Sequence, residues 1–114
     1  MGLKLQWLKD TEQIEMLERG YLEKGETAEE RFQTICNTVQ KYANKLATTK
    51  ESKEYVKDIG KRFEEYVSKG WTSFSTPVLR SFGSEYNLPI SCNHSVIEDS
   101  IDGIYKRFYE TGIL

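Results

Sequence analysis

The sequence predicts an α/β fold: a helical N-terminal region, then short extended segments, then a final helix. Two observations carry this. Up to Gly70, apolar residues recur at helical spacing, and the breaks fall at glycines or polar stretches. From Trp71 the pattern changes, because residues 71 to 92 hold both prolines, several β-branched or aromatic residues and no helical period.

Residues 10 to 24 carry Ile14, Leu17 and Tyr21 at helical spacing and stop at Gly25. Thr27-Ala28-Glu29-Glu30 fits a capping box, in which the Thr27 hydroxyl accepts from the third backbone N–H of the helix and Glu30 reaches back to the cap. Phe32, Ile35, Cys36, Val39, Tyr42, Ala43 and Leu46 then keep to one face, which makes this the clearest helix of the chain. The polar stretch Thr48 to Ser52 breaks it. A third helix follows, with Val56, Ile59, Phe63 and Val67 on one face and Gly70 as its stop. Extended segments are predicted around Ser73 to Leu79 and Pro89 to Ile97, joined by a turn through Gly83-Ser84-Glu85. Pro77 and Pro89 lack a backbone donor, which places each at a strand start or edge. A last helix runs from about Asp99 to Glu110, with Ile101, Ile104, Tyr105 and Phe108 as an apolar stripe and Gly112 at its end. Two extended segments do not make a stable sheet alone, so the chain is expected to begin a sheet that it does not finish.

Composition narrows the function classes. The 114 residues are 38% hydrophobic and 30% charged, as in a soluble domain with a modest core. Sixteen basic and eighteen acidic residues leave a net charge of −2, spread along the chain. There is no clustered basic field for duplex nucleic acid and no polybasic membrane patch. No apolar run approaches the ~20 residues of a bilayer span, and no signal-peptide core follows Met1. A cytoplasmic location without a membrane partner is the expectation. Cys36 and Cys92 read as free thiols, and a single histidine, His94, with no close Cys/His cluster argues against a metal site.

The last third carries chemistry. Thr76-Pro77-Val78-Leu79, then Leu88-Pro89-Ile90-Ser91-Cys92, then Glu98-Asp99-Ser100-Ile101-Asp102-Gly103-Ile104 resemble, in order and spacing, the entry into the catalytic barrel of the ribonucleotide reductase large subunit. Gly70-Trp71 and the stretch from Gly25 to Phe32 look like the helical N-terminal region of that family. The resemblance covers roughly residues 20 to 114 and divides the chain into a helical region, 1–70, and the start of a ten-stranded α/β barrel, 71–114.

That resemblance implies reduction of ribonucleotides to deoxyribonucleotides by thiol and radical chemistry. Cys92 is implied as one of two reducing thiols, and Thr76, Ser91 and Cys92 as substrate-binding residues. Asp99 and Ser100 are implied at a specificity site for a deoxynucleoside triphosphate, in a homodimer whose interface includes the last helix. The implied partners are the remainder of the large subunit, a metal-containing small subunit that supplies the radical, and thioredoxin or glutaredoxin as reductant. No cofactor is expected on this stretch itself. The family's second reducing cysteine, radical cysteine, catalytic Glu and Asn and C-terminal thiol shuttle are expected downstream of Leu114, so the chain is not expected to turn over alone. An ATP-sensing module ahead of the helices is not expected, and Asn93 and His94 depart from the family's smaller or more apolar residues. Two alternatives remain: a fragment of an adenosylcobalamin-dependent ribonucleoside-triphosphate reductase, and a helical interaction module without catalysis.

Read without the resemblance, the same residues have plainer roles. Cys36 lies in an apolar helical stripe and reads as packing. Asp99 suits an N-cap, Thr76 before proline suits an extended turn, His94 suits a surface, and Trp71 suits a core anchor. The final apolar stripe fits packing inside the domain as well as it fits a subunit interface.

Overall fold

The computed structural model describes residues 2–113. Six helices follow in order: α1 (Thr11–Gly20), α2 (Ala28–Leu46), α3 (Lys50–Val56), α4 (Ile59–Ser68), α5 (Thr76–Ser81) and α6 (Ile101–Gly112).

The spine is α2. Its capping box is formed: Thr27 Oγ1 accepts from the Glu30 amide at 3.2 Å, and the Glu30 carboxylate accepts from the Thr27 amide at 2.8 Å. The hydrogen bond from the Thr27 backbone, with that from its side chain, favours the ionised form and lowers Glu30 below the usual carboxylate range. Phe32, Ile35 and Cys36 point into the core, where Leu5, Leu17, Val67 and Leu79 meet them. Against this face lies α4. A Cβ at Gly60 would stand 3.0 Å from both Cys36 O and Gln40 Cβ, so the two helices touch backbone to backbone there. Gln40 fastens the joint, donating to Val56 O at 2.9 Å and accepting from the Gly60 amide at 3.0 Å.

The first residues form a strap that the periodicity does not announce. Leu5 is buried, Trp7 Nε1 donates to Val67 O at 2.7 Å, and the Gln6 amide donates to Ser68 O at 2.9 Å. Trp7 packs edge-on against Phe32 at 5.9 Å, and Phe74 bridges Phe32 and Phe63 at 5.7 and 6.2 Å. Aromatic contacts of this kind close the core around Phe32, near the N-terminus of α2.

The α/β expectation is overturned. The described residues are all helical where they are regular, with no strand, sheet or barrel. Within the segment predicted as extended around Ser73 to Leu79, residues from Thr76 on form α5. Pro77 falls in its first turn, where a backbone N–H has no helical partner and the ring's fixed φ suits helix entry. Residues 88 to 97 are irregular and largely exposed, because no other segment offers them a ladder of donors and acceptors. Other differences are local. The third predicted helix is two, α3 and α4, parted at Lys57 and Asp58. The polar stretch Thr48 to Ser52 does break the helical run, and it also contains the capping box of α3, Thr49 with Ser52. Trp71 is not a core anchor: it is 67% exposed, beside Tyr66 and under the Lys69 ammonium.

The last helix stands apart from this core. In α6 only Gly103 is buried, and Ile101, Tyr105 and Phe108 are exposed. The radius of gyration is 18.5 Å, against about 13 Å for a compact domain of this length. Among the described residues, no helix is long and apolar enough to cross a membrane.

Candidate functional site

Short as it is, α5 is held at both ends. Leu79 is its buried anchor, and Phe74, Val78 and Phe82 pack on the core around it. Its C-terminal carbonyls are taken by a buried cation from α2. Arg31 Nε donates to Leu79 O at 2.7 Å, and its guanidinium also donates to Phe82 O. Glu26 lies 3.9 Å from the same guanidinium, so the charge is not buried uncompensated. Beyond α5 the chain turns at Gly83, whose φ of +83° places it in the left-handed region. Its amide donates to Asn87 Oδ1 at 2.9 Å, and a Cβ there would run into Thr38 Oγ1 on α2. Asn87 also donates to Tyr42 Oη at 3.1 Å, and Phe82 stacks on Tyr42 at 5.9 Å. The turn is thus sewn to α2, and the segment after it returns past α5.

That return makes a cleft of about 650 Å³ in which Thr76 and Ser91 stand together. Thr76 is the first residue of α5, and Ser91 belongs to the irregular segment. Arg80, one helical turn beyond Thr76, and Glu23, past the end of α1, also line it, as do Tyr86 and Leu88. Arg80, Glu23 and Tyr86 lie outside the motifs, and Leu88 stands in one without being singled out as a site residue. For Arg80 the i, i+4 spacing from Thr76 was a usable signal. Glu23 and Tyr86 had none, since they reach the cleft through the fold alone.

The remaining candidates lie elsewhere. Cys92 is an exposed free thiol that does not line the cleft, with Sγ 3.6 Å from His94 Nε2. Cys36 is fully buried; burial pushes its thiol up to about 12, and the Glu64 carboxylate pushes the same way. Ser100, not Asp99, caps α6: its Oγ accepts from the Gly103 amide at 3.1 Å. Asp99 precedes it, exposed. Among the described residues, no group of three or more His, Cys, Asp and Glu is placed to hold a metal ion.

No family model and no solved structure matches the chain. The chain is similar to the ribonucleoside-diphosphate reductase large subunit of Invertebrate iridescent virus 6, with 36% identity over 103 residues. The match covers 89% of this chain and 9% of that protein, so the chain spans a small part of the length of its relative. The resemblance to the ribonucleotide reductase large subunit, read first from short motifs, extends over most of the sequence.

Proposed function

We propose that this chain, similar as it is to a ribonucleoside-diphosphate reductase large subunit, contributes nucleotide-binding residues and one reducing thiol to ribonucleotide reduction. The observation that carries the proposal is the cleft in which Thr76 and Ser91 meet. Both side chains are hydroxyls, exposed, and make no hydrogen bond to another described residue. Each can therefore donate to a phosphate or ribose oxygen without first giving up an internal partner.

In the overall reaction the 2′-hydroxyl of the ribonucleotide leaves as water and hydrogen takes its place. Two thiols become a disulfide, giving up two protons and two electrons. Cys92, one residue past Ser91 though not in the cleft lining, is proposed as one of the two, and its exposure leaves the sulfur open to an external dithiol reductant. The second thiol and the radical come from outside this chain, the radical from a metal-containing small subunit. Asp99 is proposed to accept a hydrogen bond from a deoxynucleoside triphosphate effector. The Ser100 hydroxyl is committed to the Gly103 amide, which leaves Asp99 as the freer acceptor at the start of α6.

Titration of the chain with a ribonucleoside diphosphate tests the cleft. Thr76→Val and Ser91→Ala are each expected to weaken binding about threefold to tenfold, the worth of one net hydrogen bond. In a complete large subunit carrying these residues, Cys92→Ser is expected to abolish multiple turnover, because serine cannot form the disulfide. Nucleotide binding indifferent to both cleft substitutions, or sustained turnover by Cys92→Ser, would contradict the proposal.

A further inference from the structure

The cleft contains a charge that the motifs do not explain. The chain has five arginines. Arg19 pairs with Glu15, Arg31 is buried on carbonyls, Arg62 donates to Tyr55 O, and Arg107 bonds Val96 O and Glu110. Arg80 alone makes no hydrogen bond or ion pair to another described residue. It sits in the cleft, with Thr76 one turn before it on the same face of α5. Glu23 lines the same cleft, yet no ion pair joins the two.

From this arrangement we infer that Arg80 is the phosphate-gripping residue of the cleft, taking the terminal phosphates of a nucleotide whose remaining contacts are Thr76 and Ser91. The planar guanidinium offers paired N–H donors that match two oxygens of one phosphate, and the two hydroxyls add donors beside it. Tyr86 and Leu88, 82% and 66% exposed, supply an apolar wall on which a base can lie. Glu23 repels a phosphate, so the anionic end of the ligand is directed to the Arg80 side. The inference rests on the reading of the cleft as a nucleotide site, and it adds the cation that this reading lacked.

The test is calorimetric titration of the full chain at low ionic strength with inorganic pyrophosphate and, separately, with adenosine diphosphate. Arg80→Ala is expected to weaken pyrophosphate binding about tenfold or more, and Arg80→Lys by less, because it keeps the charge but loses the fork. Glu23→Gln is expected to tighten pyrophosphate binding, since it removes the repelling carboxylate. Added salt is expected to weaken the wild type more than Arg80→Ala. Because Arg80 is exposed and makes no internal bond, thermal melting of Arg80→Ala is expected to match the wild type, which separates a binding defect from a folding defect. Equal pyrophosphate affinity in wild type and Arg80→Ala, or no pyrophosphate binding by the wild type, overturns the inference. The nucleotide reading fails separately: if adenosine diphosphate binds no tighter than pyrophosphate and Thr76→Val and Ser91→Ala change neither, the cleft is an anion site without nucleotide recognition, and the role of Arg80 stands.

Discussion

At the scale of the residue, the two cysteines show how environment divides one chemical type into two behaviours. Cys36 lies on the inner face of α2 with no solvent exposure, and its thiol is pushed up to about 12 by burial and by Glu64. In the unfolded chain it ionises near its ordinary value of 9.0. The folded value is the higher one, so the contribution of Cys36 to stability is whole below pH about 9 and is lost as pH rises toward about 12. Cys92, by contrast, is exposed with His94 beside it. A thiol-specific alkylating reagent at neutral pH is therefore expected to modify Cys92 alone in the folded chain, and both cysteines after denaturation. Mass mapping of the labelled peptides checks this. Rapid native labelling of Cys36 would show that the α2 face is open. In denaturant melts above pH about 9, Cys36→Val is expected to show a shallower loss of stability than the wild type.

At the scale of the element, the cleft depends on α5, and α5 depends on Arg31. Six residues are too few to sustain a helix by their own propensity, so tertiary contacts hold it. Leu79 supplies burial, and the Arg31 guanidinium supplies donors to two of the carbonyls that every helix end leaves unpaired. Arg31→Met keeps much of the side-chain volume but leaves those carbonyls, Leu79 O in the interior and Phe82 O half-buried, without their donor. The expected loss is about 2–4 kcal/mol, from one buried and one half-buried acceptor losing a charged donor, together with weakened nucleotide binding as Thr76 and Arg80 lose their position. Chemical denaturation and the titration described above measure the two effects. A variant as stable as the wild type would mean that Leu79 alone fixes α5. The same helix marks where the sequence was legible and where it was not. The capping box of α2 could be read because Thr27, Glu30 and the stripe behind them lie within a few turns. In α5 there is less than two turns of pattern, and its proline obeys the rule for a helix start as readily as the rule for a strand edge. Thr76 and Ser91 were legible as motif residues. Arg80 stands one turn from Thr76 on α5, a spacing the sequence does encode. Glu23 and Tyr86 reach the cleft only through the fold, Tyr86 by way of the Gly83 turn and its neighbours Thr38 and Tyr42, which no local spacing encodes.

At the scale of the whole molecule, the chain is a helical core with an outlying helix. The core gathers Leu5, Leu17, Phe32, Ile35, Cys36, Val67 and Leu79 around α2 and α4. The spacing of Ile101, Ile104, Tyr105 and Phe108 makes α6 amphipathic, but amphipathicity states that a face prefers cover, not that cover exists. Here Ile101, Tyr105 and Phe108 are exposed, and the tie back is local, from Arg107 to Val96 O in the preceding segment. A helix of twelve residues without tertiary packing is marginal in water, because nucleation costs more than a few hydrogen bonds return. Stability is accordingly expected to be uneven. The amides of Phe32 to Cys36 should exchange only through global unfolding, whereas those of Ile104 to Phe108 should exchange through local fraying, at least about a hundredfold faster. Hydrogen exchange followed by NMR or mass spectrometry reads both stretches in one sample. Ending the chain after Glu98 is expected to leave the thermal midpoint of the core nearly unchanged, because Gly103 is the one α6 residue buried in the structure. Equal protection of α6 and α2, or a large fall in the midpoint on removing α6, would show that the helix is coupled to the core. Its apolar face would then be part of what holds the molecule together.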